Sequence, residues 1–135
     1  MTAESLISVE GKDMDVIEKY YDGFEGEPEI TFCLVENNSV AQKIGVWDGY
    51  FNSIMRLIQP EKEGWTGLAY FYHLYIGWYE EDNWFIPDIL EAYDQLANID
   101  SNELVNREEK EVLILIVNML KRAIEHNGKV YIVYD

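Results

Sequence analysis

The sequence predicts an α+β fold in which helices predominate over a small sheet. Three observations carry this expectation. EITFCLVE (29–36) and KVYIVY (129–134) are rich in β-branched and aromatic residues and bounded by turn formers, as strands are. Val105, Val112, Leu115, Ile116, Met119 and Ala123 recur at helical spacing over a stretch too long for one strand. Pro87 precedes Ile89, Leu90, Tyr93 and Leu96, which repeat that period behind a helix-starting residue. At 135 residues the chain reads as one domain, 1–135, long enough to bury a core.

Residues 13–21 place Met14, Ile17 and Tyr21 on one side, which predicts a short helix. The run 29–36, between Pro28 and Asn37–Asn38, predicts a buried strand. From 39 to 59, Val40, Ile44, Trp47, Phe51, Ile54, Met55 and Ile58 fit a second helix, capped by Ser39 and stopped by Pro60. Gly45 and Gly49 lie one turn apart in that helix, and each weakens it by about 1 kcal/mol relative to alanine. Residues 65–79 fit two periods. Their aromatic density suits a strand, whereas Leu68, Phe71, Tyr72 and Tyr75 share a helical face. Helix is preferred for the first part, ending near Gly77.

The next helix is expected from Pro87 to about Ala97, with Asp88 and Glu91 in its first turns, where negative charge complements the dipole. A long helix follows over 102–126, with Lys121 and Arg122 near its favourable C-terminal end. Gly128 ends it. The strands 29–36 and 129–134 are expected to pair, and to need helical cover or further strands, since two strands alone are marginal in water.

Charge sets the broad class. The net charge of −16 repels phosphates and anionic headgroups, so neither nucleic acid nor membrane is expected as a direct partner. It attracts cationic proteins, in a salt-dependent way. Cys33 is alone in an apolar run, which predicts a buried, inert thiol. MTAESLISVEGK (1–12) lacks the basic and apolar regions of a signal peptide, and no apolar run reaches the ~20 residues of a membrane span. A cytoplasmic setting is therefore expected.

No HExxH, CxxC pair, GxSxG elbow or phosphate-binding glycine loop occurs. Neither a metal nor a cofactor is expected. His73 sits in an aromatic run and His126 at a helix end, and neither spacing identifies a partner for acid–base work. His73 reads as a hydrogen-bonded, semi-buried residue. No catalytic residue is assigned.

One feature shifts the weighting towards recognition. Between Glu63 and Asn106 there is no Lys or Arg, while nine acids and ten Trp, Tyr and Phe residues fall there. At its centre, IGWYEEDNWFIPD (76–88) interleaves Trp78 and Trp84 with Glu80, Glu81 and Asp82. Exposed rings beside carboxylates would suit a surface for a basic protein, with aromatic anchors and charge pairing. Equally, the rings could fold inward and leave only the acids in water.

GWYEEDNWFIPDILEAYDQL (77–96) resembles the acidic, Trp-bearing helix-entry segments of small bacterial immunity proteins, including those of contact-dependent growth inhibition and other polymorphic-toxin systems. The resemblance implies a non-catalytic cytoplasmic inhibitor of a toxin domain, often a nuclease whose surface is basic. The expected partner-binding residues are Trp78, Glu80, Glu81, Asp82 and Trp84, with Asp88 and Glu91 as second choices. Two rival readings stand beside it. A small metal-dependent hydrolase would need convergent carboxylates or His73 beside one, and an oligomeric adaptor would need a self-complementary apolar patch.

Overall fold

In the computed structural model, which describes residues 14–135, the architecture is α+β, with four α-helices and a five-stranded sheet among the described residues. The strands are β1 (Asp15–Tyr20), β2 (Glu29–Glu36), β3 (Ser39–Trp47), β4 (Trp84–Phe85) and β5 (Lys129–Tyr134). They lie in the order β1-β3-β2-β5-β4. The helices are α1 (Asp48–Met55), α2 (Gly67–Leu74), α3 (Ile89–Ala97) and α4 (Arg107–Glu125). The reading of residues 1–12 as lacking a signal peptide, and of Asp13 as a helix start, lies outside the described residues.

The expected pairing of 29–36 with 129–134 holds. It is antiparallel, with Phe32 opposite Ile132, and β3 flanks β2 on its other side with Ile44 opposite Phe32. Strand period 2 sends Ile30, Phe32 and Leu34 to the core at 0% exposure. Cys33 is buried on the opposite face, opposite Lys43 and Tyr131, and burial raises its thiol pKa.

The helix expected over 39–59 is instead a strand followed by a shorter helix. Asn37 and Asn38 both have positive φ, 53° and 65°, the backbone of a tight two-residue hairpin turn. Ser39 therefore pairs with Glu36 rather than capping a helix. Gly45 lies in β3, where a Cβ would run into the Glu29 carboxylate, and it shares no helical face with Gly49. The helical period resumes only at Asp48, and α1 buries Phe51, Ile54 and Met55.

The helix expected over 13–21 is also a strand. Parallel pairing with β3 places Ile17 opposite Ile44. Tyr20 reaches 7% exposure and donates its hydroxyl to Glu111 at 2.8 Å. Here sheet pairing overrides a weak local period.

Helix α2 falls within the stretch expected to be helical and stops at Tyr75, whose φ of 57° is left-handed. Pro87 is not the first residue of α3. Asp88 is the N-cap, its carboxylate accepting from the Glu91 N–H at 3.0 Å, and Pro87 stands one residue outside. Leu90 is 57% exposed rather than in the buried stripe, which Ala92 and Leu96 form.

The long helix starts at Arg107, later than expected. A 3-10 turn at Ser101–Glu103 precedes it, and Glu109 reaches back to the Asn106 N–H at 3.4 Å. Val105 therefore sits before the helix, exposed, rather than in the core. Val112, Ile116, Met119 and Ala123 are buried as expected. At the far end Arg122 donates twice to Glu36, at 2.8 and 2.9 Å, and His126 Nδ1 lies 2.9 Å from the same carboxylate. This clasp fixes the end of α4 to the end of β2.

Candidate protein-binding surface

The acidic loop is built by special backbone conformations. Gly77 has φ 70°, and a Cβ there would press on Phe71 and Trp84 at 3.1 Å. A 3-10 turn follows at Gly77–Tyr79, with the N–H groups of Glu80 and Glu81 both donating to the Gly77 carbonyl. Asn83, at φ 48°, turns the chain into β4, where Trp84 pairs with Ile132.

Consequently the two tryptophans point inward. Trp78 is 2% exposed and Trp84 7%. Trp78 meets Phe51 and Trp84 edge-on at 5.9 and 5.4 Å, and Trp84 meets Phe71 at 4.6 Å. Of the two arrangements left open by the sequence, the loop adopts the one with its rings in the core. The reason is area: an indole buries roughly 150–250 Å², more than a short loop gains by leaving it in water. Trp78 and Trp84 therefore cannot be contact anchors in this arrangement, and they hold the loop from beneath. Glu80, Glu81 and Asp82 are exposed and form no ion pair among the described residues.

The second-choice residues sit beside a separate feature. Glu91 borders a groove of about 460 Å³ between the chain after α1, the start of α2, and α3 with the turn that follows it. Its rim carries Glu61, Glu91, Asp94, Asp100 and Glu103, and its floor Leu57, Ile58 and Ile99. No Lys or Arg lines it. Gln95 braces the walls, donating to the Thr66 carbonyl at 2.8 Å and accepting from the Ala69 N–H at 3.3 Å. Asp88 lies in a smaller apolar dip with Leu68, Phe71 and Ile86, which Glu91 also borders. The structure thus adds Glu61, Asp94, Asp100 and Glu103 to the expected set. For Glu91 and Asp94 the signal was in the sequence, since residues three apart share a helix face.

These carboxylates are spread along a rim rather than aimed at one point. Among the described residues no group of three or more His, Cys, Asp or Glu could hold a metal ion. His73 stacks on Trp65 with ring centroids 3.7 Å apart. Its Nε2 is buried without a hydrogen-bond partner, which corrects the expectation of a hydrogen-bonded histidine. The arrangement is suited to receiving positive charge over a broad front, because a solvated carboxylate rim attracts cations without demanding a fixed coordination geometry. No helix is long and apolar enough to cross a membrane among the described residues. No protein-family model, curated protein or solved structure matches the chain.

Proposed function

We propose that this protein is an immunity protein of the cytoplasm, which binds and neutralises a basic toxin domain of the nuclease class through its acidic surface. One observation carries the reading. Five carboxylates rim an apolar-floored groove and three more stand on the Glu80–Asp82 loop, within or bordering a 44-residue window (63–106) that contains no Lys or Arg. A nuclease presents positive charge to hold phosphates, and a carboxylate rim can occupy that surface as a polyanion would. The sequence resemblance over 77–96 supports the same reading. The hydrolase alternative is less well supported, since the carboxylates do not converge.

The partner-facing residues are Glu80, Glu81, Asp82 and Glu91, with Asp94 and Glu103 added from the groove. Asp88 contributes charge while it caps α3. Trp78 and Trp84 act indirectly, by fixing the loop. Specificity among related toxins would come from where the charges stand, because misplaced like charges reject wrong partners. The test is protection: cells producing the basic toxin domain that this chain is proposed to bind should survive when the chain is co-produced. Reversing Glu80, Glu81 and Asp82 to lysine should abolish protection while leaving the far-UV circular dichroism spectrum intact. A folded triple variant that protects as well as the parent removes the loop from the interface.

A further inference from the structure

The sheet has two faces, and the core uses one of them. Ile30, Phe32, Leu34, Ile44, Val130 and Ile132 are fully buried in one cluster with the helices. Their neighbours along each strand point the other way, since side chains alternate. Strand pairing aligns those outward residues in rows. One row crosses all five strands, from Val16 on β1 through Lys43, Cys33 and Tyr131 to Phe85 on β4. To one side of it lies the row of Gly45, Thr31 and Val133, and to the other Val35 pairs with Lys129.

A sheet face left to water is ordinarily polar, and this one is not. Val16 and Phe85 are each 46% exposed, and the Phe85 ring lies 5.2 Å from that of Tyr131. Val35, Tyr131 and Val133 are half-buried without packing against the core. Phe24 stacks over Trp47 at one corner. The buried apolar residues of all four helices belong to the core on the opposite side.

Charge also sets this face apart. The chain carries a net −16, yet the outward residues of β2, β3 and β5 balance Lys43 and Lys129 against Glu29 and Asp135. The acids stand together at one end, where Glu29 and Asp135 exchange backbone hydrogen bonds of 2.9 and 3.2 Å. Burial and the like charges of Glu18 and Asp135 raise the Glu29 carboxyl. Lys129 stands at the other end and Lys43 between, and neither makes an ion pair among the described residues.

We infer that this face is the contact between two copies of the chain, packed sheet on sheet about a twofold axis that runs across the strands. The axis of a face-to-face pair lies in the contact plane. An axis along the strands would set acid end on acid end. An axis across them lays each strand over its own counterpart, reversed, and sets Lys129 over Asp135 of the second copy. It also sets Lys43 over Gly45 of the second copy, where the Glu29 carboxylate occupies the space of the missing Cβ. Both lysines thus meet acids, with Thr31, Cys33, Tyr131 and Val133 between them. Five strands about 4.8 Å apart and four rows about 6.7 Å apart span roughly 500 Å² per copy. About 1,000 Å² in total is the lower end for a specific contact, so the dimer is weak, with a dissociation constant on the order of 10–100 µM. This inference does not rest on the basic-partner reading, because the groove lies among the helices on the other side of the sheet.

The test is sedimentation equilibrium of the full chain from about 5 to 500 µM. Salt is held at about 0.15 M, where a screening length of about 8 Å mutes the remaining acids. A monomer–dimer equilibrium is expected. Lys129→Glu and Asp135→Lys, both at exposed positions, should each weaken it about tenfold or more by setting like charges face to face. The chain carrying both changes should recover association to within about threefold of the parent. A chain that stays monomeric throughout overturns the inference, as does a dimer that neither single variant weakens. Single losses without recovery in the double variant overturn the axis across the strands. A monomeric chain in which Lys129→Glu abolishes protection gives this face to the toxin and also overturns the dimer. Reversal of the loop or groove acids should leave the dimer intact, so its failure and that of the immunity reading are told apart.

Discussion

Replacing Trp78 by alanine separates a supporting role from a contact role. The side chain is 2% exposed and touches Phe51, Tyr79 and Trp84. An indole of roughly 200 Å² at about 25 cal/mol per Å² corresponds to about 5 kcal/mol. Measured truncations of buried aromatics fall at about 3–5 kcal/mol, with the ring–ring contacts included. Against a total stability of about 5–15 kcal/mol, Trp78→Ala should move the melting temperature down by on the order of 10–20 °C. Urea unfolding followed by circular dichroism is the assay, with Trp78→Phe as a milder control expected to lose only part of this. A surface anchor would behave otherwise, since exposed positions change stability by about 0.5 kcal/mol at most. A loss under about 1 kcal/mol with an unchanged urea slope would refute the inward placement of Trp78 and the argument that the acidic loop rests on it.

Two further predictions concern pH. Arg122, with His126 behind it, holds the Glu36 carboxyl below the usual carboxylate range. A depressed folded pKa gives stability that is present above the unfolded value of about 4.3 and lost as pH falls through the folded one. Arg122 is partly exposed, so the clasp should contribute only about 1 kcal/mol. Glu36→Gln should flatten the acid limb of a stability–pH curve, and an unchanged limb would count against the clasp. Tyr20, buried and donating to Glu111, has its phenol pushed up to about 12. A raised folded pKa gives stability that is complete below the unfolded value of about 10 and lost as pH rises from there towards 12. Tyr20→Phe should therefore soften alkaline unfolding in that window. Identical alkaline profiles would show that Tyr20 is not buried against Glu111.

Strands β2 and β5 were legible because composition, period and end signals agreed in each, and helices α3 and α4 because their period and C-terminal ends did. Ser39–Trp47 was not, because Val40, Ile44 and Trp47 satisfy a helical period as well as a strand can. The deciding signal was the Asn37–Asn38 pair, whose turn chemistry outweighs a three-residue match in period. Strand β1 had no comparable local mark, since only its parallel pairing with β3 makes it a strand. Helix boundaries erred where a cap overrode the obvious residue: Asp88 displaced Pro87, and Asn106 with Glu109 displaced Asn102. At the surface, the lack of basic residues over 63–106 was plain in the sequence, but the groove was not. Glu61 and Glu103 are brought to one rim only by the packing of α3 beside the chain that follows α1. The inward turn of Trp78 and Trp84 depends on the left-handed backbone at Gly77 and Asn83, which the sequence permits without requiring.

The acidic surface is proposed to hold a basic protein through its charge. The direct measurement is the affinity of the chain for a basic toxin domain against which it protects cells, taken at stepped salt concentrations. Parent, loop-reversed (Glu80, Glu81 and Asp82 to Lys) and groove-reversed (Glu91, Asp94 and Glu103 to Lys) chains are compared. Affinity of the parent should fall steadily with salt. Each reversal should weaken binding by about a hundredfold or more and reduce that salt dependence. Affinity indifferent to salt, and retained by both folded variants, would contradict it.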